Sequence, residues 1–363
     1  MLSSAAMTHV FIAPHPDDVA LSCGGLIASL RELGQAVSII TVYSGGPAAG
    51  TPLSEYQREV LGFGNKTVWP NTQAFHRGNI AAEYPVAATV TAGAPWAADA
   101  GRLDATQAYA NTQARQFWQR AAWTRSANVT NDTWSERPLA DALPTQGTLT
   151  RSALDAEDMA AMRRAEDERY AYFVEASIVD LDLPDAIHRG YEGEDALLGT
   201  PADDDEAPID VLRREIVRLE PQQVYAPLGI GGHVDHRLCR DAELALVDEP
   251  PSWVMPGPDL GGLVSFYEDF PYAWWNGFSG LSDLEGIELD LPDGFALEPR
   301  YADISDQLER KSAGIRLYAS QIQRLFDGEQ GLLDDVAGYA ARVAQVGRIG
   351  SGAAERYWGV VRT

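Results

Sequence analysis

The chain has 363 residues, 45% of them hydrophobic and 22% charged, with a formal net charge of −25. That length buries a substantial core in one large domain or two modest ones, and the composition is that of a globular protein. The negative charge argues against nucleic acid and anionic membranes as partners, since both select a basic surface, and no apolar run reaches the roughly 20 residues of a membrane span. The opening "MLSSAAMTHV" lacks the basic and apolar segments of a secretory leader, so a cytoplasmic location is expected. Cys23 and Cys239 are too few for a disulfide framework or a thiolate zinc cluster and are expected as buried small hydrophobes at helix–sheet contacts.

In chain order, "THVFIAP" reads as a first strand, "VALSCGGLIASLREL" as a helix and "QAVSIITVY" as a second strand. The pattern then fails. Residues 66–155 are rich in Ala, Thr, Asn and Gln with scattered tryptophans, and they read as an insertion within a single domain spanning 1–363. The best helix inside it is "DATQAYANTQARQFWQRAAW", and the segment could lie over the main domain as a lid. Regularity returns with a helix at "AEDMAAMRRAEDERYAYFVEA" and a strand at "SIVDLDL" that ends at Pro184 and Asp185. "DEAPIDVLRREIVRLE" is an amphipathic helix, "QQVYAPL" a strand and "GLVSFYEDF" a further apolar strand. "DISDQLERKSAGIRLYASQIQRLF" and "GLLDDVAGYAARVAQV" make the end of the chain helical. Alternating strands and helices predict an α/β fold, a Rossmann-like parallel sheet flanked by helices in three layers, with the long insertion after the second strand.

Two polar clusters interrupt this pattern. His15, Asp17 and Asp18 follow the first strand directly, where an aspartate could simply cap the next helix. "GGHVDHRL" repeats the logic more than two hundred residues later, with His233, Asp235 and His236 after a strand and a glycine turn. Both clusters stand at the carboxyl ends of strands, where open α/β sheets hold their ligands, and they meet if those strands are neighbours. His15, Asp18 and one later histidine would then supply three ligands and leave an open position, the pattern of a catalytic rather than a structural zinc. Iron(II) suits the same mixed N and O set. Adjacent aspartates point in different directions, which leaves Asp17 free to face water as a general base. The remaining imidazole, His233, is placed to stabilise an oxyanion, best when protonated, and Asp235 to orient a histidine from behind.

These residues resemble the LmbE-like or PIG-L-type deacetylases, whose signature is an Ala-His-Pro-Asp-Asp-Glu-like element after the first strand and a later His-x-x-His-like element. Here they stand as "PHPDDVALSCGG" and "GGHVDHRL", with "RRAEDERYAYFVEA", "DLDLPD", "YEDFPY" and "KSAGIRLYASQ" as supporting landmarks over residues 8–64 and 156–325. The resemblance implies a zinc-dependent hydrolase that removes acetyl from an N-acetylglucosamine-type sugar conjugate, with metal ligands His15, Asp18 and His236, base Asp17 and an oxyanion-side His233. It further suggests Arg163 as a donor to the sugar or its aglycone, against the plainer reading of a helix-surface pair with Glu166 or Asp167. Asp185 would grip sugar hydroxyls or merely form a turn. Pro14 and Val19 depart from the family's commoner Ala and Glu. The tyrosine that some relatives carry before the second motif is missing, which leaves Tyr225 or an insertion residue to replace it. The rival readings are hydrolysis of another amide or an ester by the same site, and a non-catalytic sugar-binding or scaffold protein. A small-molecule conjugate is thus the expected partner, and a homo-oligomer stays open.

Overall fold

A computed structural model describes residues 8–61, 156–248, 263–278 and 284–363, apart from a few single positions within and at the edges of these ranges. The insertion at 66–155, with its helix and lid readings, lies outside the described residues.

Seven strands form one sheet in the order β3-β2-β1-β4-β5-β7-β6. The central strand β1 (Thr8–Ala13) pairs in parallel with β2 (Ala36–Thr41) on one side and with β4 (Gln223–Pro227) on the other. β3 (Ser177–Asp180) adds in parallel outside β2, and β5 (Val264–Tyr267) in parallel outside β4. The run Val10, Phe11, Ile12 and Ala13 is buried throughout, which is why β1 reads as continuously apolar rather than alternating: both faces of a parallel strand are covered.

The expectation of a parallel sheet holds for five strands and needs correction at one edge. β7 (Ala354–Arg362) runs antiparallel to β5, and β6 (Phe295–Asp303) runs antiparallel to β7, so the sheet is mixed. Pro299 interrupts the β6 pattern, and proline is tolerated there because β6 is an edge strand.

Helices cover the sheet in two sets. α1 (Asp18–Glu32) packs on α8 (Leu308–Ile315), which also meets α3 (Ala156–Phe173) and α10 (Gly328–Gly347), with α9 (Ala319–Leu325) touching both α3 and α10. α5 (Ile209–Leu219) and α6 (Val234–Asp248) pack together, and α6 lies against β4 and β5. Short helices α2 (Glu55–Val60), α4 (Glu194–Leu197) and α7 (Tyr272–Trp275) lie in the connections. The predicted helix "DISDQLERKSAGIRLYASQIQRLF" divides into α8 and α9. Cys23 on α1 and Cys239 on α6 are free and fully buried, as expected.

α1 is fastened to the far end of the chain. Glu355, on β7, accepts hydrogen bonds from the amides of Gly25 and Leu26 at 2.9 Å each, and Lys311 on α8 joins it through Nζ at 2.7 Å. Gly25 permits that approach, since a Cβ there would lie 2.6 Å from Ile304.

The chain leaves β1 towards β2 and β3, then returns to the opposite side of β1 at β4. Between the carboxyl ends of β1 and β4 lies the point where strand order reverses, and crevices for ligands form at such points.

Candidate active site

His15, Asp17 and Asp18 leave the end of β1, and His233, Asp235 and His236 follow the end of β4. The sheet order therefore brings the two sequence clusters together. His15 Nδ1 lies 3.3 Å and His236 Nε2 3.4 Å from the same oxygen, Asp18 Oδ2. That oxygen also accepts the backbone N–H of His15 at 2.8 Å, which fixes the carboxylate.

A carboxylate stands behind each ring. His15 Nε2 lies 2.8 Å from Asp235 Oδ2, and His236 Nδ1 lies 2.6 Å from Asp269 Oδ1. With a cation bound, each ring would donate its N–H to that carboxylate and turn the lone pair of the opposite nitrogen, His15 Nδ1 or His236 Nε2, towards the ion. Two nitrogens and one oxygen thus converge, all within 4.8 Å of one another. Ligands held about 2.0 Å from one ion at tetrahedral angles stand roughly 3.3 Å apart. The donor set and its spacing fit a divalent cation.

A second grouping, His15, His233 and Asp235, is also close. It fits less well, because the Asp235 oxygens are taken: Oδ2 accepts from His15 and from the Ala186 amide at 3.0 Å, and Oδ1 from Arg189 at 2.6 Å.

The electrostatics divide the adjacent aspartates. Burial raises Asp18, but the imidazoles of His236 and His15 outweigh it and hold the carboxyl down at about 2. Asp17 is pushed up to about 7, chiefly by burial and with help from the Asp18 charge, against the pull of Arg163. Asp17 also adopts φ 100°, a region that a side chain other than glycine enters at a cost of about 1–3 kcal/mol. Burial lowers His15, but Asp185, Asp18 and Asp235 outweigh it and carry the ring up to about 10 without a cation.

His233 departs from expectation. Burial and the neighbouring His15 push it down to about 3, so the ring is neutral at ordinary pH rather than protonated. Its Nδ1 accepts the Asp235 amide at 3.2 Å, which leaves the ring proton on Nε2. A neutral N–H donor replaces the imidazolium read from the sequence.

Arg163 is not a helix-surface residue. Its guanidinium is mostly buried and lies 3.5 Å from Asp17 and 3.7 Å from Asp185, and it donates to the Pro16 carbonyl at 3.1 Å. Its suggested surface partners are engaged elsewhere: Glu166 accepts from Ser320 and Asp167 from Thr41 and Tyr318. Asp185 forms a turn at the cleft. It caps the turn at Ala186–His188 by accepting from the Ile187 amide, and its other oxygen stands 3.8 Å from His15 Nε2.

These groups form the floor of a cleft that is also lined by Gln321 and by an apolar wall including Leu61, Leu197, Tyr272 and Trp275. Tyr272 meets the His236 ring edge-on, 5.8 Å between centroids. Gly231 makes room for it, since a Cβ at that position, φ +92°, would strike the Tyr272 ring at 2.6 Å. Tyr225 lies away from this cleft, stacked on Phe11 within the sheet layer at 4.4 Å, so it does not replace the missing tyrosine.

Asp269 and Arg189 were not anticipated. Asp269 follows the end of β5, and its second oxygen accepts the amides of Gly229 and Ile230 at 2.8 and 2.9 Å. The signal was available, since "YEDF" places carboxylates after a strand just as the first motif does.

Comparison with known proteins finds similarity to the PIG-L family over part of the chain and a shared fold over nearly all of it. Residues 10–68 match the family model of PIG-L, the GlcNAc-PI de-N-acetylases, which bears out the resemblance read from the motifs. The chain is 34% identical over 164 residues to the 2'-N-acetylparomamine deacetylase of Streptomyces fradiae, a match covering 44% of this chain and 53% of that protein. The chain thus spans about half the length of the curated relative it matches. Among solved structures it shares its fold with the A40926 pseudoaglycone deacetylase Dbv21, at 20% identity and a TM-score of 0.55 over 99% of this chain and 98% of that one. It is similarly related to the zinc-inhibited form of teicoplanin deacetylase Orf2, at 19% identity and a TM-score of 0.54 over 98% of each chain. Among the described residues, no helix is long and apolar enough to cross a membrane.

Proposed function

We propose that this protein is a metal-dependent hydrolase that removes the acetyl group from an N-acetylated aminosugar conjugate. One observation supports the reading: His15 Nδ1 and His236 Nε2 converge on one oxygen of the Asp18 carboxylate, with the buried Asp17 carboxyl beside them. A relative that deacetylates an aminosugar supports the choice of substrate class.

His15, Asp18 and His236 would hold the cation, with zinc first among the candidates and iron(II) second. A divalent ion there supplies Lewis acidity, which lowers the pKa of water towards 7 and polarises a carbonyl. Asp17 takes the proton as water adds to the amide carbon, and a carboxyl near 7 is matched to that task at neutral pH. The same proton is returned to the nitrogen as the C–N bond breaks, giving acetate and a free amine. His233 donates from Nε2–H to the oxygen on which charge develops, and a preorganised donor in a buried site is worth several kcal/mol at about 2.7–4 kcal/mol each. Arg163 holds Asp17 from behind and, with Asp185, presents a charged pair at the cleft floor for sugar hydroxyls. The apolar wall of Tyr272 and Trp275 receives the less polar side of the conjugate.

The test is metal analysis of protein purified without added metal, followed by amine release from N-acetylglucosamine conjugates beside a panel of acetyl esters. Amine release that needs a divalent ion is expected. Turnover of esters alone would reassign the bond that is cut, and chain that no divalent ion activates would favour the sugar-binding or scaffold reading.

A further inference from the structure

We propose that Arg189 is a positioning residue for the cation site, acting through Asp235 on the ring of His15. The inference rests on the site reading above but concerns a residue outside it. Arg189 NH2 donates to Asp235 Oδ1 at 2.6 Å, while Asp235 Oδ2 receives His15 Nε2 at 2.8 Å. The Asp235 side chain is wholly enclosed, so without Arg189 its Oδ1 would be a buried carboxylate oxygen stripped of its guanidinium partner.

Arg189 is itself fixed on three sides. Asp205 takes its Nε and NH2 in a bidentate fork at 2.8–3.2 Å, the Pro184 carbonyl accepts from NH1 at 2.7 Å, and the Tyr43 ring lies under the guanidinium at 4.4 Å. A planar donor held in this way can present one N–H to Asp235 in one direction only. Asp235 is then oriented so that it accepts from His15 Nε2–H and holds Nδ1 towards Asp18. The line Asp205, Arg189, Asp235, His15 therefore sets one ligand of the site from a loop that does not touch the ion's position.

A purely architectural alternative makes Arg189 a stitch for segment 184–206. Tyr191 separates the two: its hydroxyl donates to Asp205 at 2.8 Å and accepts the Ala202 amide at 2.8 Å, so it fastens the same loop without meeting Asp235.

The experiment titrates Co²⁺ into the chelator-treated chain and follows both affinity and the visible ligand-field spectrum. Arg189→Gln is expected to weaken Co²⁺ binding about 10–100-fold and to alter the spectrum, the range typical of partners that orient metal ligands. Arg189→Lys, which keeps a cation but loses the fork, is expected to recover part of that loss. Tyr191→Phe is expected to leave both readouts at wild-type values. Should Arg189→Gln fail to fold, Arg189→Lys decides: wild-type affinity and spectrum in the folded variant overturn the proposal, as does a Tyr191→Phe loss equal to that of Arg189→Lys. Wild-type chain that takes up no Co²⁺ sinks the site reading as well, whereas normal uptake with unaffected variants sinks this inference alone.

Discussion

His236 and Asp269 form a buried pair, Nδ1 to Oδ1 at 2.6 Å, that ties the start of α6 to the end of β5. The other Asp269 oxygen caps the amides of Gly229 and Ile230, so one carboxylate sets both the ring and the turn that delivers it. Asp269→Asn is expected to lower divalent-cation affinity about 10–100-fold. Competition against a chromophoric chelator measures it, and affinity equal to wild type would remove Asp269 from the site.

The three proposed ligands are expected to behave as a unit. His15→Ala, Asp18→Ala and His236→Ala should each yield protein with little bound metal after dialysis and with activity lost in parallel. Stoichiometric metal in the His236→Ala variant would show that the cation is held elsewhere.

Asp17 carries both a strained backbone and a buried carboxyl. Asp17→Asn should retain the metal and lose roughly 10²–10⁴-fold in turnover, the usual contribution of a general base. Asp17→Gly should be inactive yet melt at a higher temperature. Relief of about 1–3 kcal/mol of strain exceeds the 0.5–1 kcal/mol that glycine costs in chain entropy. A Gly variant less stable than wild type would mean that φ 100° at this residue is not under strain.

Glu243 supplies a pH dependence remote from the cleft. It is fully buried on α6, neither carboxylate oxygen has a hydrogen-bond partner among the described residues, and burial lifts its pKa from 4.5 to about 8. A carboxyl raised on folding contributes stability that is complete below about 4.5 and lost as pH climbs through 8, because the folded state binds the proton more tightly. Glu243→Gln removes that slope. Melting curves from pH 5 to pH 9 should therefore show the variant gaining on wild type as pH rises, and a constant difference would contradict the burial argument.

Much of the site was legible because its signals are local. His15, Asp17 and Asp18 sit within four residues of one another after an unmistakable apolar strand, and His233 and His236 repeat the arrangement. What escaped reading depends on partners distant in sequence. Arg189 means nothing until Asp235 and Asp205 are seen around it, and the protonation of His233 depends on burial beside His15. Arg163 could be weighed against Glu166 and Asp167 only because they are neighbours on the helix, whereas its actual partners lie on other elements. The last two strands were missed for a related reason: β6 alternates weakly and contains Pro299, and β7 gains its meaning from pairing with β5 and β6 rather than from a turn signal beside it.

The bond between Glu355 and the amides of Gly25 and Leu26 spans 330 positions of chain for Gly25. The helix that opens at Asp17 and Asp18 therefore gains this support only after Glu355 has been synthesised. A chain cut short of that glutamate would leave α1 unclasped on the side that faces β7.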